Sequence, residues 1–190
     1  ALPMTVCLAY AGILMDERRQ TAAACDSITS IARMAPAISN LVHAMQKERG
    51  QTAGYIGYKG ASFQDTLPAL RDDTDAAVQL LQRDLARYRA GNGDPKLTTA
   101  VEAAISLAAD ATGGRETYDA LSLTVPDMAA RYPSTIAALM AAISAMAYAS
   151  SDDAVNKRIS ALLNLMEGKE RAGLQRAYGS VGFSTSGFSP

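Results

Sequence analysis

Hydrophobic positions along the chain recur at helical steps, and no stretch alternates like a strand. Over residues 21–58, Ile31, Met34, Ile38, Leu41 and Met45 are spaced by three and four, the signature of one buried helix face. Val42, Met45 and Arg49 fall on nearly the same stripe, so Arg49 continues an apolar face. Beyond it, Gly50, Ala53, Gly54 and Gly57 form a stripe of small residues, which predicts close backbone packing or a local opening of the helix. Gly60 ends the element. Ser62-Phe63-Gln64-Asp65 reads as a capping box with Pro68 in the first turn, opening a second helix that runs to Ala90. Its inward residues are Leu67, Leu70, Val78, Leu81, Leu85 and Tyr88.

Gly91-Asn92-Gly93 breaks the pattern, Asp94 caps a third helix and Pro95 takes its first position. The third seam is Leu97, Val101, Ala104, Ala108, Ala111, Arg115 and Tyr118, so a second arginine stands where an apolar residue is expected. Pro126 and Pro133 bracket a short connection. A fourth helix over 134–149 uses Ile136, Leu139, Met140, Ile143 and Met146. Asp152 begins a fifth, with Val155, Ile159, Leu162, Met166, Lys169, Gly173 and Arg176 along its seam. Residues 179–190, rich in Gly and Ser, have no period and read as an irregular tail. The predicted fold is all-α, an elongated antiparallel up-and-down helical bundle. With alternating directions, helices one, three and five run the same way, which brings Arg49, Arg115 and the 169–176 cluster toward one end.

The N-terminal segment changes the picture. Residues 2–15 carry no charge and stop abruptly at Asp16-Glu17-Arg18-Arg19. That run is shorter than the roughly 20 residues of a full span, and it has neither an initiating Met nor a basic leader. Residues 1–15 therefore read as the end of a transmembrane helix, with residues 16–178 as the helical domain; a buried soluble helix is the alternative.

Composition narrows the function classes. The 18 basic and 19 acidic residues nearly cancel, so no global basic field exists to hold nucleic acid. Cys7 and Cys25 are too few for a disulfide framework, lack metal-ligand spacing and read as packing residues. His43 is the only histidine, which removes paired-histidine zinc and di-iron sets. No nucleophile–base pair, metal set or cofactor motif appears, so the chain is not read as an enzyme and no cofactor is expected.

What remains is charge inside the seams. Lys47-Glu48-Arg49-Gly50 and Lys169-Glu170-Arg171-Ala172-Gly173 each place Lys-Glu-Arg before small residues. Clustered arginine near an apolar seam is costly unless something anionic joins it. Its rigid fork gives two parallel hydrogen bonds to a planar oxyanion, which lysine cannot reproduce. The candidate anion-binding residues are Arg49, Arg115, Arg171 and Arg176. For Arg49 the competing reading is a structural pair with a nearby carboxylate, and for Arg115 a pair with Glu116 or Asp110 on its own helix. The motif favours Arg171 and the helical phase favours Arg176. Lys47 and Lys169 read as solvated. Arg49 lies on an apolar stripe beside glycines, so its loss is expected to cost anion contacts but not core.

The stretch Leu41-Val42-His43-Ala44-Met45-Gln46-Lys47-Glu48-Arg49-Gly50-Gln51-Thr52-Ala53-Gly54 resembles the opening motif of the nitrate- and nitrite-sensing (NIT) domain family. The continuation to Gly60, the pattern of Leu70-Arg71 followed by Thr74-Asp75, and Lys169-Glu170-Arg171-Ala172-Gly173 with Arg176-Ala177 extend the resemblance over most of the chain. Such similarity implies an all-helical extracytoplasmic sensor domain between two transmembrane helices, binding nitrate or nitrite. Domains of this family are attached to chemoreceptors, histidine kinases, cyclases or RNA-binding antiterminators. The expected setting is the inner membrane, reached through the N-terminal helix, with the sensor periplasmic or extracellular, assembled as a homodimer and passing its signal by helix movement. The family's domain continues through further helix after the second motif, so the chain is expected to stop short of it. A membrane-tethered dimerisation or scaffold bundle without a small ligand is the alternative function.

Overall fold

The structure, a computed structural model, describes the backbone of residues 2–91, 93–150 and 152–184. Seven helical segments follow one another among these residues: α1 (Leu2–Gly57), α2 (Leu67–Ala90), α3 (Pro95–Thr112), α4 (Arg115–Asp119), α5 (Val125–Ala129), α6 (Tyr132–Ala149) and α7 (Asp153–Ser184). Contacts close a ring from α1 to α2, α3, α6 and back to α1, and α7 lies outside it against α1 and α6. The all-α bundle read from the sequence is the observed fold.

The predicted faces fill the core. Ile31, Met34, Ile38, Leu41 and Met45 of α1 are wholly buried. Leu81, Leu85 and Tyr88 meet them from α2, and Ile136, Leu139, Ile143 and Met146 from α6. Val101, Ala104 and Ala108 of α3 are small enough to let α3 and α6 pack closely. Pro36 sits inside α1 at an exposed position, so the carbonyl that loses its N–H partner can be met by water. The stretch Val125–Ala149 is long and apolar enough by composition to cross a membrane, but much of its apolar surface serves this core.

Several local readings need correction. The Ser62 capping box is not used: α2 begins at Leu67 with Thr66 as N-cap, and Thr66 Oγ1 donates to Gln51 Oε1 at 2.7 Å. Phe63 adopts a left-handed backbone (φ 69°), incompatible with a first helical turn, and lays its ring on Gly54. The third helix ends at Thr112, because Gly113-Gly114 separates it from α4. A Cβ on Gly114 would stand 2.8 Å from the Tyr118 hydroxyl and 2.9 Å from Arg131 Nη1. The connection before α6 contains α5, capped by Thr124, which sends Met128 into the core. Asp94 and Asp152 do cap their helices, each carboxylate accepting two backbone N–H bonds.

The C-terminal end and the two cysteines also differ from expectation. Residues 179–184 continue α7 as helix, since Gly and Ser lower helix propensity without forbidding it; the rest of the expected irregular tail lies outside the described residues. At the other end α1 is unbroken from Leu2, and every residue from 3 to 22 is exposed. Cys7 and Cys25 are exposed rather than packed, in a part of α1 whose described side chains from 3 to 26 are all exposed.

The glycine stripe divides in the same way. Gly50 and Gly57 have open space where a side chain would stand, whereas a Cβ on Gly54 would lie 2.5 Å from the Phe63 ring. Only Gly54 is a close approach, and to a side chain rather than a neighbouring backbone. Gly54→Leu is expected to expel Phe63 and lower unfolding free energy by about 1–3 kcal/mol, while Gly50→Ala is expected to be neutral or stabilising. Urea denaturation of both variants checks this; equal stability of Gly54→Leu and wild type would refute the close approach.

Candidate functional site

Two consecutive residues of α1 anchor two separate ion-pair systems. Glu48 and Arg49 are both buried, and neighbouring helix positions point about 100° apart, so they serve different neighbours. Glu48 accepts from Arg115 Nε at 2.8 Å and from Nη2 at 2.9 Å. Arg115 also donates from Nη1 to both oxygens of Asp75, at 2.8 and 2.9 Å, and from Nη2 to the Arg71 carbonyl at 3.3 Å. Arg71 forms a second fork with Asp119, at 2.8 and 2.6 Å. These bonds tie α1, α2 and α4 together. Burial alone would lower the Arg115 pKa, but hydrogen bonds to Glu48 and Asp75 outweigh it and hold the guanidinium firmly charged.

Arg49 faces α7. Its Nη1 donates to Glu170 Oε1 at 2.6 Å and its Nη2 to Oε2 at 3.1 Å, a bidentate pair with both side chains at most a tenth exposed. Gln46 Nε2 adds a bond to Glu170 Oε2 at 2.8 Å. One turn further on, a Cβ on Gly173 would stand 3.4 Å from Arg49 Nη2, so glycine keeps the α7 backbone clear of the fork. On the rim, Lys169 Nζ lies 3.2 Å from His43 Nδ1. His43 meets Lys169 and Arg49 meets Glu170, so the two Lys-Glu-Arg segments face each other across the α1–α7 seam. Five cations, Lys47, Arg49, Lys169, Arg171 and Arg176, lie along the facing stretches 47–49 of α1 and 167–176 of α7, against Glu167 and Glu170, Glu48 being turned toward Arg115.

The predicted residues are therefore not gathered at one point. Arg49 and Arg115 come to the same level of the bundle but are engaged on different sides of α1. The pair expected for Arg115 within its own helix is replaced by Glu48 and Asp75 from two others. Arg171 is 81% exposed and lies 3.8 Å from Glu167, and Arg176 is exposed on the same helix. The seam of α7 passes through Glu170 rather than Lys169, since Ile159, Met166 and Glu170 are its buried residues among those described.

Sequence reasoning missed Glu48, Gln46 and Glu170. The signal was present: Glu48 follows Leu41 by seven and Met45 by three, and Glu170 follows Met166 by four. A carboxylate at core phase is masked in the sequence by the basic residues on either side of it, Lys47 and Arg49 around Glu48 and Lys169 and Arg171 around Glu170.

The rim offers a titration test. Burial first, then the Lys169 and Lys47 charges, hold His43 below its usual value, about 6.5. A depressed histidine leaves the unfolded chain with more bound protons just below that value, so stability should rise with pH up to about 6.5. As the only histidine, His43 gives a single imidazole titration by proton NMR. Its midpoint is expected below 6.5, and Lys169→Gln is expected to move it upward. An unshifted midpoint in that variant would remove Lys169 as a cause.

Comparison with known proteins places these motifs. The family model described as nitrate and nitrite sensing (NIT) matches residues 40–190, a span holding both Lys-Glu-Arg segments. No curated protein matches the chain. A solved structure of the NasR transcription antiterminator is similar in fold, with a TM-score of 0.68 at 21% identity over 94% of this chain. The chain spans about half of that structure's length, 49%. On the match of its family model over most of its length, the chain belongs to the nitrate- and nitrite-sensing (NIT) family.

Proposed function

We propose that the chain is the sensor domain of a bacterial signalling receptor, binding nitrate or nitrite through Arg49 at the α1–α7 seam. The observation that carries this reading is a nearly buried guanidinium fork that already holds a planar carboxylate, set among a local surplus of positive charge. Arg115, with its donors committed to Glu48, Asp75 and the Arg71 carbonyl, acts as a brace rather than a ligand. Arg171 and Arg176 contribute field from the exposed side of α7.

The sensor is placed outside the cytoplasmic membrane and tethered by the start of α1. Supporting this, Met4, Val6, Leu8, Tyr10, Ile13 and Met15 are all exposed, apolar on every side of the helix. From Met15 to Arg49 an unbroken helix spans about 50 Å, so a tilt or axial shift at Arg49 is carried to that segment. The exposed side of α7, with Ala161, Leu165, Gly168 and Ala172 in one stripe, is the face offered to a second copy. Sedimentation of Leu165→Lys against wild type checks the dimer; identical behaviour would exclude this face.

One observation favours the alternative, a scaffold bundle without a small ligand: Arg49, Arg71 and Arg115 are each paired with a carboxylate within the chain. Calorimetric titration separates the two readings. Sensing predicts saturable heat with nitrate or nitrite and none with chloride or sulfate at equal ionic strength. No heat with any anion supports the scaffold.

A further inference from the structure

We infer that Glu170 is a built-in stand-in for the ligand: its carboxylate occupies the Arg49 fork in the empty sensor, and an incoming oxyanion must displace it. This rests on the reading of Arg49 as the anion-binding residue and adds how that site is regulated. A carboxylate and a nitrate are both planar, and each presents two coplanar oxygens to the same pair of guanidinium N–H groups. Glu170 makes that contact, at 2.6 and 3.1 Å, with Gln46 supporting one of its oxygens. Two anions cannot share the Nη1–Nη2 edge without strong repulsion. Binding there is an exchange, and Glu170 sets its affinity.

The exchange is built to have a mechanical result. Among its described side chains α7 buries only Ile159, Met166 and Glu170, so Glu170 is its one buried polar tie to α1. A free anion on Arg49 replaces a tethered carboxylate with an untethered one, and the buried polar link between α1 and α7 is lost, leaving the exposed Lys169–His43 contact on the rim. Lys169 and Arg171 flank Glu170 in sequence and are exposed, so the released carboxylate turns toward cations and water rather than into the core. Anion binding therefore loosens α7 from α1, giving the two states different affinities for the ligand, as a switch requires.

Glu170→Gln keeps the shape and one acceptor but removes the competing charge. If the fork is open less than a tenth of the time in the wild type, the variant should bind nitrate about tenfold more tightly or better. Glu167→Gln is the charge control: it removes a negative charge on the same helix from a residue that contacts Arg171, not Arg49. Its nitrate affinity should match wild type. A gain of the same size in both variants would mean a field effect and overturn the exchange, as would equal or weaker binding by Glu170→Gln while wild type binds. Binding by neither wild type nor Glu170→Gln would instead bring down the Arg49 reading itself, and this inference with it. A second measurement needs no variant: the Glu170 side-chain carboxyl carbon, followed by NMR during nitrate titration of the wild-type chain, should move to a solvent-like shift. If nitrate binds and that signal stays, the anion uses another edge of Arg49 and Glu170 is only structural.

Discussion

Arg49→Ala is expected to abolish nitrate binding and also to lower unfolding free energy by about 3 kcal/mol. The sequence alone argues for lost anion contacts with the core intact. The geometry changes that expectation, because Arg49 is the cation facing Glu170, whose side chain is only 10% exposed. Removing the guanidinium strands a carboxylate with one remaining bond, from Gln46. Breaking one side of such a pair costs more than the pair contributes, whereas removing both partners is often nearly neutral. Arg49→Ala/Glu170→Ala should therefore recover much of the lost stability without recovering binding, and Arg49→Lys should keep some stability but bind poorly. Urea unfolding and calorimetric titration read the two effects separately. Wild-type stability in Arg49→Ala would show that Glu170 is not held as described.

Arg115→Ala should be the more damaging change to the fold, by about 3–5 kcal/mol. Glu48 is wholly inaccessible to solvent and has both oxygens on Arg115. The same substitution frees Asp75 and the Arg71 carbonyl, leaving the Arg71–Asp119 fork to tie α2 to α4. A loss of this size is a large part of a typical domain's 5–15 kcal/mol. Arg115→Lys restores a charge but not the fork, and should recover less than half of it. Where the variant is still folded, its nitrate affinity should be close to wild type, because Arg115 braces rather than binds. Lost affinity in folded Arg115→Lys would return it to the list of ligands, and a cost below about 1 kcal/mol would mean the pair is effectively solvated.

The helices were legible because their apolar positions repeat over several turns: Ile31 through Met45, Leu97 through Ala111, and Ile136 through Met146 each mark a face that the bundle buries. The errors fall where a single tertiary contact overrides local preference. Phe63 reaches back to Gly54 and so prevents helix formation at Ser62. Gly114 gives room to Tyr118 and Arg131 and so ends α3 early. The candidate site was half legible: Arg49 and Arg115 were placed on buried faces by phase alone. Their partners were not, because a pairing between α1 and α7 spans 121 positions and leaves no local trace. Motif order located the second segment, but only packing shows that its glutamate, and not Arg171, faces inward.

The central claim is that a small planar anion sits on Arg49 at the α1–α7 seam, and a crystal structure of the nitrate-saturated protein tests it most directly. The account predicts planar density within about 2.7–3.1 Å of the Arg49 Nη atoms, with the Glu170 carboxylate rotated out of the fork and Glu48 still on Arg115. Nitrate bound elsewhere while Arg49 and Glu170 remain paired would contradict it.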